Sequence, residues 1–150
     1  MIELKEGFVP KKRKVYLLLR EKKKKVQVFV EDQLQKKYIQ LSKLPQTSLV
    51  YFVAKKDGKR RIVQDYCHIN QWTVKNRYFL SLIADILDGV GKKVFTKLDL
   101  RWEYNNMRIK KGDKWKAVFT MYIRAYEPTV MYFGLINSPA TFQTMMNNLF

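Results

Sequence analysis

The stretch LVYFVAKKDGKRRIVQ (residues 49–64) decides how the rest of this chain is read. Leu49 to Val53 is a short, apolar, β-prone run, and Arg61 to Gln64 is a second of the same kind. Between them, Asp57-Gly58 provides the positive φ angles of a tight turn, so the stretch predicts a β-hairpin with a basic tip. Toward the N-terminus, Val26, Phe29, Val30, Leu34 and Tyr38 fall near one helical face with Lys and Glu on the other, which predicts a helix over residues 20–39. Toward the C-terminus, Ser81 to Asp88 reads as a helix with Gly89 and Gly91 as stop signals. Val94 to Leu98 then reads as a buried strand that delivers Asp99 at its exit. Met107–Ile109 and Trp115–Phe119 flank the turn Lys111-Gly112-Asp113, which predicts a second hairpin. Ser138-Pro139 opens a last helix with proline at its first position, running to the chain end. No repeat or linker interrupts this order, and the irregular mixture of helices and strands predicts an α+β unit rather than a doubly wound sheet.

Charge narrows the class of partner. The chain of 150 residues carries 30 Lys and Arg against 13 Asp and Glu, a formal net charge of +17, which favours a polyanion over a small neutral ligand. Residues 1–75 hold 19 of the basic and 7 of the acidic side chains, so the front half is the stronger phosphate-binding candidate. The runs KKRK at 11–14 and KKKK at 22–25 read first as solvated faces and carry no catalytic weight on sequence grounds. With 47% apolar residues and 14% aromatics the chain is too rich for a disordered tail. No apolar run approaches the ~18 residues that span a bilayer and no secretory leader is visible, which predicts a soluble, unprocessed chain. A single Cys67 excludes an internal disulfide, and Cys67 with His68 cannot supply the ligands of a zinc site, so any metal must be held by carboxylates. Asp99 is the best single carboxylate for that work, although an Asp after a strand is also a common cap or turn former.

Three runs read together go further. KKDGKRRIVQDYCHIN (55–70), FTKLDLRWEYNN (95–106) and MYFGLINSPATFQ (131–143), in that order and at those separations, resemble the reverse transcriptase domain of gypsy-type LTR retrotransposons, an RNA-directed DNA polymerase. The resemblance extends from about Glu3 to Phe150 and takes in ELKEGFVP and VEDQLQKKYIQ. It implies the fingers and partial palm of a right-hand polymerase, with residues up to about 92 mainly fingers and from about 93 the first part of the palm. It also implies magnesium as cofactor, dNTP as substrate and an RNA or DNA template–primer as partner. By resemblance Asp99 matches the first catalytic aspartate, a ligand of both metal ions. Tyr104 matches the aromatic position beneath the incoming sugar, where a ring excludes a 2′-hydroxyl. Arg61 matches the fingers arginine that grips the triphosphate, a role suited to a rigid guanidinium fork. Lys55 or Lys56 matches the triphosphate lysine. Phe133 and Gly134 match the segment near the nascent base pair, while Asn137, Ser138 and Pro139 start the helix behind the template strand. Helix capping alone explains those last three equally well.

The chain also departs from that pattern. Glu103 stands where the family usually has glycine, and a carboxylate there would repel a triphosphate by like charge. Cys67 replaces a usual arginine, Tyr132 a common proline, and the turn from Tyr122 to Tyr126 lacks the usual glycine. The Tyr-x-Asp-Asp element, the thumb and the RNase H segments of the family are not in this sequence, so the expectation is a polymerase segment inactive alone, with an unpaired sheet edge prone to aggregate. A non-enzymatic nucleic-acid-binding module and a decayed element remnant are the alternatives at this point.

Overall fold

The computed structural model describes residues 2–12, 20–44, 46–54, 60–78, 91, 99–122 and 124–149. The expected helix at 81–88, the expected strand at 94–98 and the tip of the first hairpin at 55–59 lie outside the described residues.

Helix α1 spans Arg20–Gln35 and turns Val26, Val30 and Gln33 inward, the i, i+4, i+7 stripe expected of a half-buried helix. It stops four residues before the expected end because Lys37 adopts a left-handed conformation, φ 57°. The amide of Lys37 donates to Leu34 O at 3.0 Å and that of Tyr38 to Gln33 O at 2.9 Å, the paired bonds of a Schellman cap. Lysine pays a steric penalty at that position that glycine does not. Lys37→Gly is therefore expected to raise the unfolding free energy by about 1 kcal/mol, read from the denaturant midpoint.

Tyr38 then leads into β1, Ile39–Ser42, whose first residue falls within the helix expected over residues 20–39. Strands β2 (Ser48–Ala54) and β3 (Arg60–Asp65) form the expected hairpin, paired antiparallel from Leu49↔Asp65 to Ala54↔Arg60. A short helix α2, Cys67–Trp72, follows. Strands β4 (Phe119–Met121) and β5 (Arg124–Pro128) pair antiparallel and complete a five-stranded sheet of order β1-β5-β4-β2-β3. The sheet is antiparallel except at one seam, where Ser48↔Phe119 and Leu49↔Thr120 join β2 to β4 in parallel. Helix α3, Ser138–Leu149, opens where Ser138-Pro139 predicts. The mixture of helices with a largely antiparallel sheet is the α+β class expected from the sequence.

The second expected hairpin is corrected. Residues 114–117 form a turn of 3-10 helix, and Met107–Ile109 does not pair with them. Arg108 instead bridges Val130, with Ile109 N donating to Thr129 O and Met131 N to Met107 O. The turn around Asp113 is claimed by the N-terminal segment, whose Ile2 amide donates to the Asp113 carboxylate at 3.0 Å while the Lys116 ammonium donates to both Ile2 O and Asp113. Burial pushes the Asp113 carboxyl up, but the bonds from Lys116 and Ile2 outweigh it and leave it below the ordinary carboxylate value.

The core gathers on the sheet face under α1. Phe119 is fully inaccessible, with the rings of Tyr126 and Tyr132 at 6.3 and 5.9 Å. Tyr66, also buried, donates its hydroxyl to Ala117 O at 3.2 Å, which satisfies its polar end inside the core.

Candidate nucleotide cleft

A cleft of about 970 Å³ opens between α1, the β2–β3 hairpin and the segment 132–134. Arg61 reaches it from β3, and Phe133 and Gly134 from the far end of the chain. Sequence separation hides such a meeting; the sheet produces it by carrying β3 beside the loop that leads to α3.

That loop is fixed by polar bonds and conformation together. Gly134 has φ +94°, which an L side chain resists, and a Cβ there would contact Gln64 O and the Tyr66 ring at 3.6 Å. Asn70 of α2 donates to Gly134 O at 2.7 Å and accepts from Ile136 N at 3.0 Å, closing both sides of the turn. On its inner side Tyr132 donates to Gln33 Oε1 at 2.6 Å, tying the loop to α1. Burial raises the Tyr132 phenol well above its usual value, with the charges of Asp32 and Tyr38 adding to it. Removing the hydroxyl leaves the buried Gln33 acceptor without this donor, so Tyr132→Phe is expected to cost about 1–3 kcal/mol in urea-induced unfolding.

Tyr104 lies on the short 3-10 turn Glu103–Asn106, entered through Trp102 in a left-handed conformation at φ 55°. Its ring packs 4.7 Å from Phe133 and edge-on to Phe142 of α3 at 5.9 Å. Tyr104 is thus half-buried beside the cleft wall, and the aromatic trio sets the position of Phe133, which is itself 52% exposed. Partial burial, then the charge and hydrogen bond of Glu103, raise the Tyr104 phenol above its ordinary value. The departure at Glu103 is therefore held against its neighbour's hydroxyl.

The remaining sequence-expected residues separate. Asp99 is exposed and is not among the residues that line the cleft. Among the described residues no three His, Cys, Asp or Glu side chains gather, so these residues do not complete the ligand set of a divalent ion and Asp99 offers a single carboxylate. Lys55 and Lys56 lie outside the described residues. Asn137 donates to Val74 O at 2.8 Å and accepts from Asn76 N at 2.9 Å, Ser138 is fully buried with its hydroxyl on Tyr132 O, and Pro139 is exposed at the start of α3. These bonds are those of a helix start anchored to the chain around it.

Sequence reasoning missed the α1 wall. Lys24, Lys25, Val28 and Phe29 line the cleft, and Trp102 borders it at 57% exposure with the Lys36 ammonium 5.5 Å from its ring centre. The available signal was the i, i+4 relation of Lys24 to Val28 and of Lys25 to Phe29 on one helical stripe. No helix among the described residues is long and apolar enough to cross a membrane.

Comparison with known proteins places the sequence and the fold in a family. Residues 53–150 match the family described as reverse transcriptase (RNA-dependent DNA polymerase). The chain is 40% identical over 101 residues to the Transposon Tf2-3 and Tf2-4 polyproteins of Schizosaccharomyces pombe, a match covering 67% of this chain and 8% of each polyprotein. It therefore spans about 8% of the length of the curated relatives it matches. Among solved structures it superposes on the CSH mutant of the Prototype Foamy Virus Protease-Reverse Transcriptase with a TM-score of 0.84 and 25% identity, over 99% of this chain and 20% of that one. The foamy viral protease-reverse transcriptase in complex with RNA/DNA hybrid superposes with a TM-score of 0.81 at 24% identity, over 99% and 20% of the two chains. Members of this family generally use divalent metal ions. By its motifs, by the match over most of its length and by its fold, the chain belongs to the reverse transcriptase family, as a stretch of the reverse transcriptase domain of gypsy-type LTR-retrotransposon polyproteins.

Proposed function

We propose that this stretch forms the fingers, up to about residue 92, and the first part of the palm of an RNA-directed DNA polymerase, and that its cleft receives the incoming deoxynucleotide. The observation that carries the reading is convergence: Arg61, Phe133 and Gly134, distant in sequence, line one cleft, and the Tyr104 ring packs 4.7 Å from Phe133. In this reading Arg61 holds the triphosphate with Lys55 or Lys56 beside it, Phe133 and Gly134 border the base pair, and Tyr104 closes the space where a 2′-hydroxyl would sit. Asp99 is a ligand of magnesium, a hard cation suited to carboxylate oxygen. Asn137, Ser138 and Pro139 act by setting the start of α3 behind the template. The foamy viral protease-reverse transcriptase is known in complex with double-stranded DNA and with RNA/DNA hybrid, which supports a template–primer as the partner of this chain too.

Primer extension tests the catalytic half of the proposal. Two-metal nucleotidyl transfer needs several converging carboxylates, and Asp99 meets no such set among the described residues. The purified 150-residue chain is therefore expected to bind template–primer yet add no dNTP above background. Incorporation by this chain alone would overturn the view that its ligand set is incomplete, and failure to bind either template–primer or dNTP would overturn the proposed function itself.

A further inference from the structure

The lysine run at the start of α1 is placed against the interest of its own helix. Lys22 to Lys25 and Arg20 crowd the N-terminal end, where the helix dipole is positive, while the last turn has no basic residue. Cations at that end are unfavourable, and neighbouring ammonium groups add their mutual repulsion. Glu21 is the first turn's acidic residue, and among the described residues neither Lys24 nor Lys25 has a carboxylate within ion-pair distance.

Successive residues of a helix with about 3.6 residues per turn point in different directions, so a run of four lysines cannot share one role. Lys23 lies over the Tyr122 ring, 4.5 Å from its centre. Lys24 and Lys25 instead line the cleft that Arg61 also lines, and Val28 and Phe29 continue the same stripe one turn later. Three cations that have no ion pair among the described residues thus border a cavity whose other walls include the exposed rings of Trp102 and Phe133. Such a surface is complementary to a ligand with clustered negative charge at one end and a flat ring at the other.

We propose that Lys24 and Lys25 are phosphate-binding residues of the cleft, gripping the polyphosphate of a bound nucleotide together with Arg61. The sequence alone puts that grip in the β2–β3 hairpin; the structure adds a second contributor, from α1. The assignment rests on the proposed nucleotide-binding role of the cleft and concerns which side chains meet the phosphates.

The test is equilibrium binding of dTTP and of inorganic tripolyphosphate to the whole chain in buffer free of divalent ions, over a range of salt. K24Q/K25Q is expected to weaken both ligands by about 10-fold or more and to reduce the salt dependence of binding. K22Q/K23Q removes the same two charges from positions that do not line the cleft, and is expected to change affinity by less than about threefold. Equal losses from the two pairs would mean a diffuse field and would overturn the proposal. Lys24 and Lys25 are exposed and oppose the helix dipole, so K24Q/K25Q should hold or raise the thermal midpoint, and K24R/K25R should retain binding because charge and donors are kept. Arg61→Gln separates the two levels of inference. If Arg61→Gln weakens binding and K24Q/K25Q does not, the α1 assignment alone falls; if neither variant weakens it, or the unaltered chain shows no saturable binding, the proposed role of the cleft falls as well.

Discussion

Raising salt from 50 to 200 mM is expected to weaken the binding of a template–primer duplex by about 10³–10⁵-fold, the range for a protein that neutralises ~6–10 phosphates. The expectation rests on the +17 charge and on how little of it is spent internally. Among the described residues the ion pairs are Lys36 with Asp32 and Lys116 with Asp113, so most of the described basic side chains have no carboxylate partner among them and can meet phosphate. Each phosphate contact releases condensed counterions, and the logarithm of affinity then falls linearly with the logarithm of salt, with a slope of about −0.9 per contact on duplex DNA. Fluorescence anisotropy with a labelled duplex at several salt concentrations reads that slope directly. A slope near zero would mean that affinity comes from apolar or neutral polar contacts, and the polyanion reading would be lost.

The second large effect is expected at Phe119. Its side chain is fully inaccessible and lies between Tyr126 and Tyr132, while its backbone is one of the two pairing positions that join β4 to β2. Phe119→Ala removes a buried ring and leaves a cavity that the sheet can only partly close, so the unfolding free energy should drop by about 3–5 kcal/mol. Against a total of about 5–15 kcal/mol for a domain, that loss is enough to unfold a substantial fraction of the chain. Urea titration followed by tyrosine and tryptophan fluorescence measures it. A drop below about 1 kcal/mol would show that Phe119 does not anchor the core as its burial implies.

Local rules read some elements well. The β2–β3 hairpin was legible because two β-prone runs flank an Asp-Gly turn, and α3 because Ser138-Pro139 is a start signal in its own residues. Helix α1 was legible through its period, but its end was not. Residues Ile39 to Ser42 pair with residues 125–128, and that partner, far along the chain, decides that the backbone leaves the helix. The misread second hairpin has the same origin. The turn at 111–113 is a genuine turn, yet Asp113 is held by Ile2 and Lys116, and Phe119 finds its partners at Tyr126 and Ser48. Spacing around a turn carries no information about such remote competitors.

The site was legible to a different extent. Arg61, Tyr104, Phe133 and Gly134 are candidates named through motifs, and the fold brings Arg61, Phe133 and Gly134 to one cleft with Tyr104 packed against Phe133. The motifs could not show that Ser138 is fully buried, because a serine before proline looks the same in a cap or at a surface. They also could not show the α1 wall, because a lysine run is usually solvated and only the packing of the helix reveals which of its members turn toward a cavity.

The seam between β2 and β4 has a consequence for how the chain reaches its native state. The hairpin β2–β3 can form from neighbouring residues, and β4–β5 likewise, but joining them requires Ser48 to find Phe119 across a loop of some 70 residues. Closing so long a loop costs entropy before any contact repays it, so this junction, like the β1–β5 pairing of residues 39–42 with 125–128, is expected to form after the local hairpins. Until it closes, two small ladders expose their inner edges side by side, and a crowded solution or a nascent polyprotein offers each of them other strands to pair with.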